Sequence, residues 1–416
     1  MFDTSLPEKP QVRTTEPVRV DGIMRFEYTE ELIPSDHAAR AIWEILGVLN
    51  LAPFTDDSKS VEGHSGRPAH STRMLLTLWL YGVSLGFGSA RRIAKLTLSD
   101  PAFRWIVGNM KVSHHILSQF RADEGASLDG LMTQVLSVLM SKGLISLERV
   151  AQDGTRVRAS AGAPSFRSER ALGECLEQAT LHVKAVLAEA GDPEVTLREQ
   201  AARTAAALDY KNRVEAAIGV MAELKAQTTP KEKPRVSTTD AEARVMKMAD
   251  GGFRPAYNVQ FGVAGSEMGG PRTIVGVLVT NVGSDMSSVT PMLADIKERT
   301  GQLPEKLLAD GNHAKHTCIE NATKQGVEVF IPVSDREKTS KTAVSLEVAE
   351  WKERMETPRA KRIYRSRSGL CEIGNAQTKR AGLTELLVKG IRKVTNTALI
   401  AAISHNLVHH LEGLLG

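Results

Sequence analysis

Three acidic residues, Asp153, Asp310 and Glu372, are the candidates in this sequence for a catalytic site. Asp153 stands in a predicted strand, Asp310 ends the short apolar run 306–310, and Glu372 falls on a predicted helix. A carboxylate at the end of an apolar run is unusual, because its burial is costly unless it is paired or bound to a metal. The turn-forming residues 311–313 would hold Asp310 at the carboxyl edge of a sheet, where open α/β sheets bind ligands.

Carboxylates that converge at such an edge are suited to divalent cations. Mg²⁺ prefers oxygen ligands, and two ions about 3.5–4 Å apart support in-line displacement at phosphorus. Spacing alone leaves a simpler interpretation open, because the chain has 49 Asp and Glu residues and the Asp153-Gly154 pair is typical of turns.

An α/β core is predicted around these acids, from strand-like runs that alternate with helical periodicity after residue 147. A sequence rich in Ala, Glu, Arg and Lys at 166–236 interrupts this core and predicts a helical insertion of two long helices. Strands are expected at 147–159, 256–264, 272–280, 306–310 and 327–333, and helices at 288–300 and 316–325.

The N-terminal region has a different pattern. Residues 1–30 are predicted to form an extended arm, and 31–146 an all-helical domain of about five helices separated by glycines and Pro101. The catalytic domain is then expected at 147–412.

Composition excludes several classes of protein. The formal net charge is 53 − 49 = +4 over 416 residues, which permits a nucleic-acid partner without indicating one. Three separated cysteines exclude a disulfide scaffold and make a sequence-local zinc knuckle improbable. Without a signal peptide or an apolar stretch of about 18 residues, we expect a cytoplasmic protein with no membrane partner.

Short motifs follow one another along nearly the whole chain, and together they resemble bacterial insertion-sequence transposases of the DDE class. The resemblance covers about residues 30–410 and is closest to the subgroup with a helical N-terminal domain ahead of an RNase H-like core. The motifs are His37-Ala38-Ala39-Arg40-Ala41-Ile42-Trp43, Gly66-Arg67-Pro68-Ala69, Leu78-Trp79-Leu80-Tyr81-Gly82, Val150-Ala151-Gln152-Asp153-Gly154-Thr155, Thr238-Thr239-Asp240, Tyr257-Asn258-Val259-Gln260 and Leu308-Ala309-Asp310-Gly311.

This resemblance implies that Asp153, Asp310 and Glu372 are the metal ligands, with two Mg²⁺ ions as cofactors and Mn²⁺ as a substitute. It also implies a Tyr-Arg-Glu-Lys signature at Tyr364, Arg367, Glu372 and Lys379. Six residues separate Glu372 from Lys379, which sets them two turns apart on one helix face, so that Lys379 can contact a DNA phosphate.

The implied activity is metal-dependent hydrolysis at the terminal inverted repeats of an insertion sequence, followed by joining of the released 3′-OH to target DNA. The implied partners are double-stranded DNA and a second copy of the chain, in the nucleoid. Arg91, Arg92 and Arg121 are the candidate DNA contacts of the helical domain, and a solvated helix face is the alternative for the Arg91-Arg92 pair.

Departures from the family pattern keep two other functions open. Four residues rather than three separate Arg367 from Glu372, and His313 stands where an aromatic residue often follows the second Asp. The alternatives are a catalytically inactive or domesticated DNA-binding protein derived from a transposase, and an RNase H-like nuclease without strand transfer.

Overall fold

The computed structural model describes residues 26–56, 68–189, 195–227, 233–266, 269–339, 343–380 and 383–415, without the side chains of 269–270, 372–380 and 415. Most of the predicted N-terminal arm, residues 1–25, therefore lies outside the described residues. The last part of the arm packs against the helical region, where Glu27 pairs with Arg104 and Glu30 pairs with Arg40.

Six α-helices form the described part of the N-terminal region: α1 (Ala38–Val48), α2 (Thr72–Ser84), α3 (Ala90–Leu96), α4 (Pro101–Val107), α5 (His114–Asp123) and α6 (Gly125–Ser141). The expected all-helical region is confirmed, but α4 was missed because Pro101 suggested a helix end. Pro101 instead begins α4, where its fixed φ angle is favourable and its missing N–H is not needed. The Asp100 carboxylate caps this helix by accepting from the backbone N–H groups of Ala102 and Phe103, at 2.9 and 3.3 Å.

A mixed sheet forms the centre of the second region. Its strands, with the separate pair β2 and β3, are β1 (Arg149–Arg158), β2 (Phe166–Arg167), β3 (Val236–Ser237), β4 (Arg244–Lys247), β5 (Phe253–Ser266), β6 (Gly269–Thr280), β7 (Lys306–Leu308) and β8 (Glu328–Phe330). The order is β4-β5-β1-β7-β8, with β6 also paired to β5. β1, β5 and β6 are antiparallel neighbours, whereas β7 and β8 run parallel to β1. This order confirms the expected RNase H-like mixed sheet.

The remaining helices are α7 (Glu169–Ala188), α8 (Leu197–Gln227), α9 (Val289–Thr300), α10 (His316–Lys324), α11 (Asp335–Thr339), α12 (Leu346–Glu356), α13 (Pro358–Arg380), α14 (Ile391–His409) and α15 (Leu411–Leu415). Helix α9 lies against one face of the sheet, where a side chain on Gly276 would collide with Met292. Helix α13 lies against the opposite face, with Leu370 beside Gly265. The functional side chains of β1 can therefore be approached by a helix from either face.

The predicted helical insertion is present as α7 and α8, which pack against each other. The short pair β2–β3 closes its base, and the Ser165 and Ser237 hydroxyls lie 2.7 Å apart there. Since the chain leaves and re-enters the core at adjacent points, the insertion does not interrupt the sheet.

Helix α14 joins the two regions. It packs on α2, α5 and α6 and also on β6, and buried side chains along it belong to one continuous hydrophobic core. Ser404 Oγ donates to the Leu80 carbonyl at 2.7 Å, and Asn396 Nδ2 donates to the Arg121 carbonyl at 2.8 Å. The boundary predicted at 146/147 thus crosses a shared core, because the C-terminal helix supplies apolar surface to both sides.

Candidate active site

Asp153 and Asp310 lie together at the open end of two parallel strands. Ala151 of β1 is in register with Leu308 of β7, and each Asp is two residues beyond this pair. β7 ends at Leu308 while β1 continues to Arg158, so the edge of β1 beyond Ala151 is open on the side of Asp310. Burial raises the pKa of Asp153, and the negative charge of Asp310 raises it further against the opposing charge of Arg367.

A short 3₁₀ turn fixes the Asp310 carboxylate. Its Oδ1 accepts from the backbone N–H of Asn312 at 3.0 Å and lies 2.7 Å from His313 Nδ1. His313 is fully buried, so its ring cannot turn away without losing its packing. Burial acts to raise the pKa of Asp310, but the His313 hydrogen bond and the nearby positive charges outweigh it and leave the pKa below its usual value.

Helix α13 supplies a cation and a phenol to the same point. Arg367 Nη2 lies 3.3 Å from Asp153 Oδ1. Tyr364 is partly buried one turn earlier, and its pKa is raised by burial and by the charges of Asp310 and Asp153. The structure therefore brings together four of the residues that the sequence analysis selected from separate parts of the chain.

The donor set of this cluster fits a hard divalent cation. The Asp153 and Asp310 side chains keep 27% and 31% of their surface exposed, so carboxylate oxygens face solvent from two neighbouring strands. A bound cation would relieve the repulsion between these charges. Among the described side chains, no group of three or more His, Cys, Asp or Glu residues is arranged as a metal site. Glu372 follows Arg367 on α13, and its side chain lies outside the described residues.

Asp285 forms a second acidic centre on the opposite face of β1. Its Oδ2 accepts from Arg156 Nη2 at 2.7 Å. Its Oδ1 accepts from Asn258 Nδ2 at 2.7 Å and from Gln260 Nε2 at 2.8 Å. Asp285 precedes α9 in sequence but does not cap it, because its carboxylate points to β1 and β5, where these three donors lie. Asn258 and Gln260 are buried in this network.

Gly154 lies between the two acidic centres. A Cβ atom at this position would come within 2.9 Å of Asn258 Oδ1 and 3.0 Å of Asp285 Oδ1. The Asp153-Gly154 pair is therefore not a turn. It lies in the middle of β1, and glycine is required because the Asp285 network approaches the strand closely.

Comparison with protein families agrees with this geometry. Residues 27–123 match the family model of a transposase domain (DUF772), and residues 226–407 match that of a transposase DDE domain. The chain belongs to the DDE transposases. The second match includes Asp310 and Glu372, whereas Asp153 precedes it. No curated protein and no solved structure matches the chain.

The DNA contacts predicted for the helical region of the transposase differ in their surroundings. Arg91 and Arg92 are exposed on α3, with the Arg92 guanidinium 4.0 Å from the centre of the Phe87 ring. Arg121 is 3% exposed, donates to the Gly88 carbonyl at 2.8 Å and lies over the Trp79 ring. The prediction that Arg121 contacts DNA does not fit the structure, because its guanidinium is enclosed; burial lowers its pKa to about 10.

A cleft of about 1030 Å³ begins at Asp153 and continues along β1. Its lining includes the basic side chains of Arg156, Arg158, Lys247 and Arg254. Sequence reasoning missed these residues, since only the alternation of Arg156 and Arg158 along one strand was a usable signal.

None of the helices described for the transposase has the length and apolar character needed to cross a membrane.

Proposed function

We propose that the transposase cuts DNA at the ends of its own insertion sequence and joins the released 3′-OH to target DNA. Asp153, Asp310 and Glu372 are the proposed catalytic acids. The observation that carries the proposal is the pair of partly exposed carboxylates, Asp153 and Asp310, at the open end of β1 and β7, beside a cleft lined by basic side chains.

The proposed cofactors are two Mg²⁺ ions, with Mn²⁺ as a substitute, held by the three acids. When bound, such ions polarise a phosphoryl oxygen and lower the pKa of a water molecule. Neighbouring side chains hold the two aspartate carboxylates in position. His313 and Asn312 fix the orientation of Asp310. Arg367 pairs with Asp153, and its guanidinium would be available to a phosphate oxygen if Asp153 were bound to a cation.

Helix α13 supports the remaining assignments. It carries Tyr364, Arg367, Glu372 and Lys379 on one continuous helix that lies against the face of the sheet from which Asp153 projects. We propose Glu372 as the third acid and Lys379, two turns later, as a contact to a DNA phosphate. The reaction needs no covalent protein intermediate, because the attacking groups are water in the first step and the DNA 3′-OH in the second.

The helical region at 31–146 is the proposed reader of the terminal inverted repeats, with Arg91 and Arg92 as phosphate contacts. Both side chains are exposed and lie next to each other on α3. Two ends must be cut and joined together, so we propose that two copies of the chain act as a homodimer on nucleoid DNA.

The test is a cleavage and joining assay on an oligonucleotide duplex carrying the terminal inverted repeat. Asp153→Asn, Asp310→Asn and Glu372→Gln should each reduce both reactions to background in Mg²⁺ while binding to the duplex is retained. Asp209→Asn is the matched control, since Asp209 is an exposed acid on α8 that does not line the cleft. Full activity in one of the three variants removes that residue from the site.

The same assay separates the competing functions. Cleavage without joining by the wild-type chain would identify a nuclease, and repeat-specific binding without either reaction would identify an inactive DNA-binding protein. The match of residues 27–123 to a transposase domain favours the transposase, since a nuclease that reads no ends needs no such region.

A further inference from the structure

The cleft beside Asp153 extends beyond the acidic cluster and is lined by further charged residues. Its walls are the second half of β1, the connection between β4 and β5, the loop at 283–286 and the turn after Asp310. It extends away from the acids along β1 as far as Arg158. Small-molecule pockets are mostly apolar, whereas charged side chains stand along the length of this cleft.

When each carboxylate of the cleft is paired with its basic partner, two basic side chains of the cleft remain without a carboxylate among the described residues. Each carboxylate in the lining has its own basic partner: Asp153 has Arg367, Asp250 has Arg254, and Asp285 has Arg156. The partners of Asp153 and Asp285 are held by interactions inside the fold, and Arg156 also donates to the Gly283 carbonyl at 2.9 Å.

Arg158 and Lys247 are the two remaining cations. Both are exposed, and neither has an ion pair with any carboxylate in the part of the chain that the structure describes. Arg158 is the last residue of β1, and its carbonyl accepts from the Leu386 N–H at 2.8 Å. Lys247 is the last residue of β4 and is in register with Phe253. The backbones that carry these cations are therefore fixed by the sheet.

The distance from the acids is suited to a polynucleotide. Arg158 lies five positions after Asp153 on β1, which at about 3.3 Å per position corresponds to roughly 16 Å. Phosphates of one strand advance about 3.4 Å each along the duplex axis and lie farther apart along the backbone itself, so this distance spans several phosphates and at most about five. A single bound phosphate would not require cations so far from the acids.

We propose that this cleft holds the phosphodiester backbone of the DNA strand next to the bond that is cut, with Arg158 and Lys247 as its phosphate contacts a few nucleotides away from that bond. The proposal rests on the proposed function, because it takes Asp153 to mark the scissile phosphate. DNA backbone in the cleft can come from the element end or from target DNA. We assign the cleft to the element end, which must stay at the acids through both reactions.

The test compares the double variant Arg158→Ala/Lys247→Ala with the wild-type chain. A labelled duplex carrying the terminal inverted repeat is titrated at increasing salt, in EDTA so that no reaction occurs. Each lost phosphate contact lowers the slope of log Kd against log salt by about 0.9, so the double variant should lose about 1.8. An unchanged slope overturns the proposal.

Lys184→Ala/Lys297→Ala is the matched control. It removes the same charge from exposed positions on α7 and α9 that do not line the cleft, and its salt slope should equal that of the wild-type chain. Arg158→Lys keeps the charge and should restore about half of the lost slope in the Lys247→Ala background. Equal losses of slope in the double variant and the control would attribute the effect to net charge and overturn the assignment.

Two kinetic assays distinguish the sources of the DNA. The double variant should raise KM for the element-end duplex in cleavage, and leave KM for plasmid target unchanged when a pre-cut end is joined. A rise for the target alone overturns the assignment to the element end. If the wild-type chain binds the duplex but neither cuts nor joins it, the proposed function fails while the salt slopes still test the cleft. If it cuts and joins normally and the slopes agree, only the cleft assignment fails.

Discussion

Replacement of Asp285 tests whether its buried hydrogen-bond network with β1 and β5 stabilises the fold. The Asp285 side chain is 3% exposed and accepts from Arg156, Asn258 and Gln260. Asp285→Ala leaves these three donors without their acceptor. Asp250→Ala is the matched control: it also removes a carboxylate from the cleft lining and from an arginine, but that pair is exposed.

The magnitude follows from burial. Removal of one partner from a buried ion pair costs about 3–5 kcal/mol, because the other charge is left uncompensated. Arg156 is 25% exposed and keeps its bond to the Gly283 carbonyl, so part of its charge is hydrated after the change. Asn258 and Gln260 have no such access to water. Asn258 Nδ2 keeps its 3.3 Å bond to the Val282 carbonyl, whereas Gln260 Nε2 loses its acceptor, and an unsatisfied buried donor costs about 1–3 kcal/mol. We therefore expect Asp285→Ala to lower the free energy of unfolding by about 3–4 kcal/mol, and Asp250→Ala to leave it near the wild-type value.

The assay is urea unfolding followed by tryptophan fluorescence, with linear extrapolation to water. Trp351 is fully buried beside β8, and its indole N–H donates to the Ile331 carbonyl at 3.0 Å, so it reports on the α/β core. Asp285→Asn should fall between Asp285→Ala and wild type, because the amide keeps one acceptor and loses the charge. A loss under 1 kcal/mol in Asp285→Ala, or equal losses in Asp285→Ala and Asp250→Ala, would refute the reasoning.

Three further predictions address the joined core, the histidines of α14 and the metal. Arg299→Met should lower the free energy of unfolding by about 3 kcal/mol in the same urea assay, because Arg299 is 5% exposed and bridges Asp129 of α6 and Asp295 of α9. The control Arg392→Met should leave the free energy of unfolding unchanged, because Arg392 is exposed. Burial, with the charges of His409 and His410, lowers the pKa of His405 to about 4. In the unfolded chain this histidine has an ordinary pKa and binds a proton at higher pH than in the folded chain. The free energy of unfolding should therefore fall by roughly 3 kcal/mol as the pH drops from 6.5 to about 4. Unfolding titrations across that range should show a smaller fall for His405→Gln, and an unchanged profile contradicts the assignment. EDTA should abolish DNA cleavage and added Mg²⁺ or Mn²⁺ should restore it; cleavage that persists in EDTA would exclude the metal site.

Much of the fold around the acids could be predicted because the relevant signals are local. Alternating apolar residues and a glycine-rich turn indicate the hairpin of β5 and β6, and helical periodicity indicates α9 and α10 within one or two residues of their ends. The charged stretch 334–363 was not predicted in this way. It forms α11, α12 and the start of α13, which are stabilised by contacts such as the buried Trp351.

The functions of individual polar residues depended on contacts that no local pattern contains. Asp285 resembles a helix cap in sequence, yet its arginine partner lies 129 positions away on β1. Arg121 stands in a polar helix segment, and its burial results from the Gly88 carbonyl, 33 positions away, and from the ring of Trp79. The cleft residues come from five separate segments of the chain.

By itself, the sequence determined the class of protein, the RNase H-like core with its helical insertion, and the acids to test. These properties are carried by motifs, residue order and periodicity, which are readable in one dimension. Only the tertiary structure decided that Asp153 and Asp310 share an edge, that Gly154 is a mid-strand contact, and that Arg158 and Lys247 stand uncompensated in a cleft. Burial, charge compensation and approach distance are properties of the folded chain, because they depend on neighbours that the sequence separates.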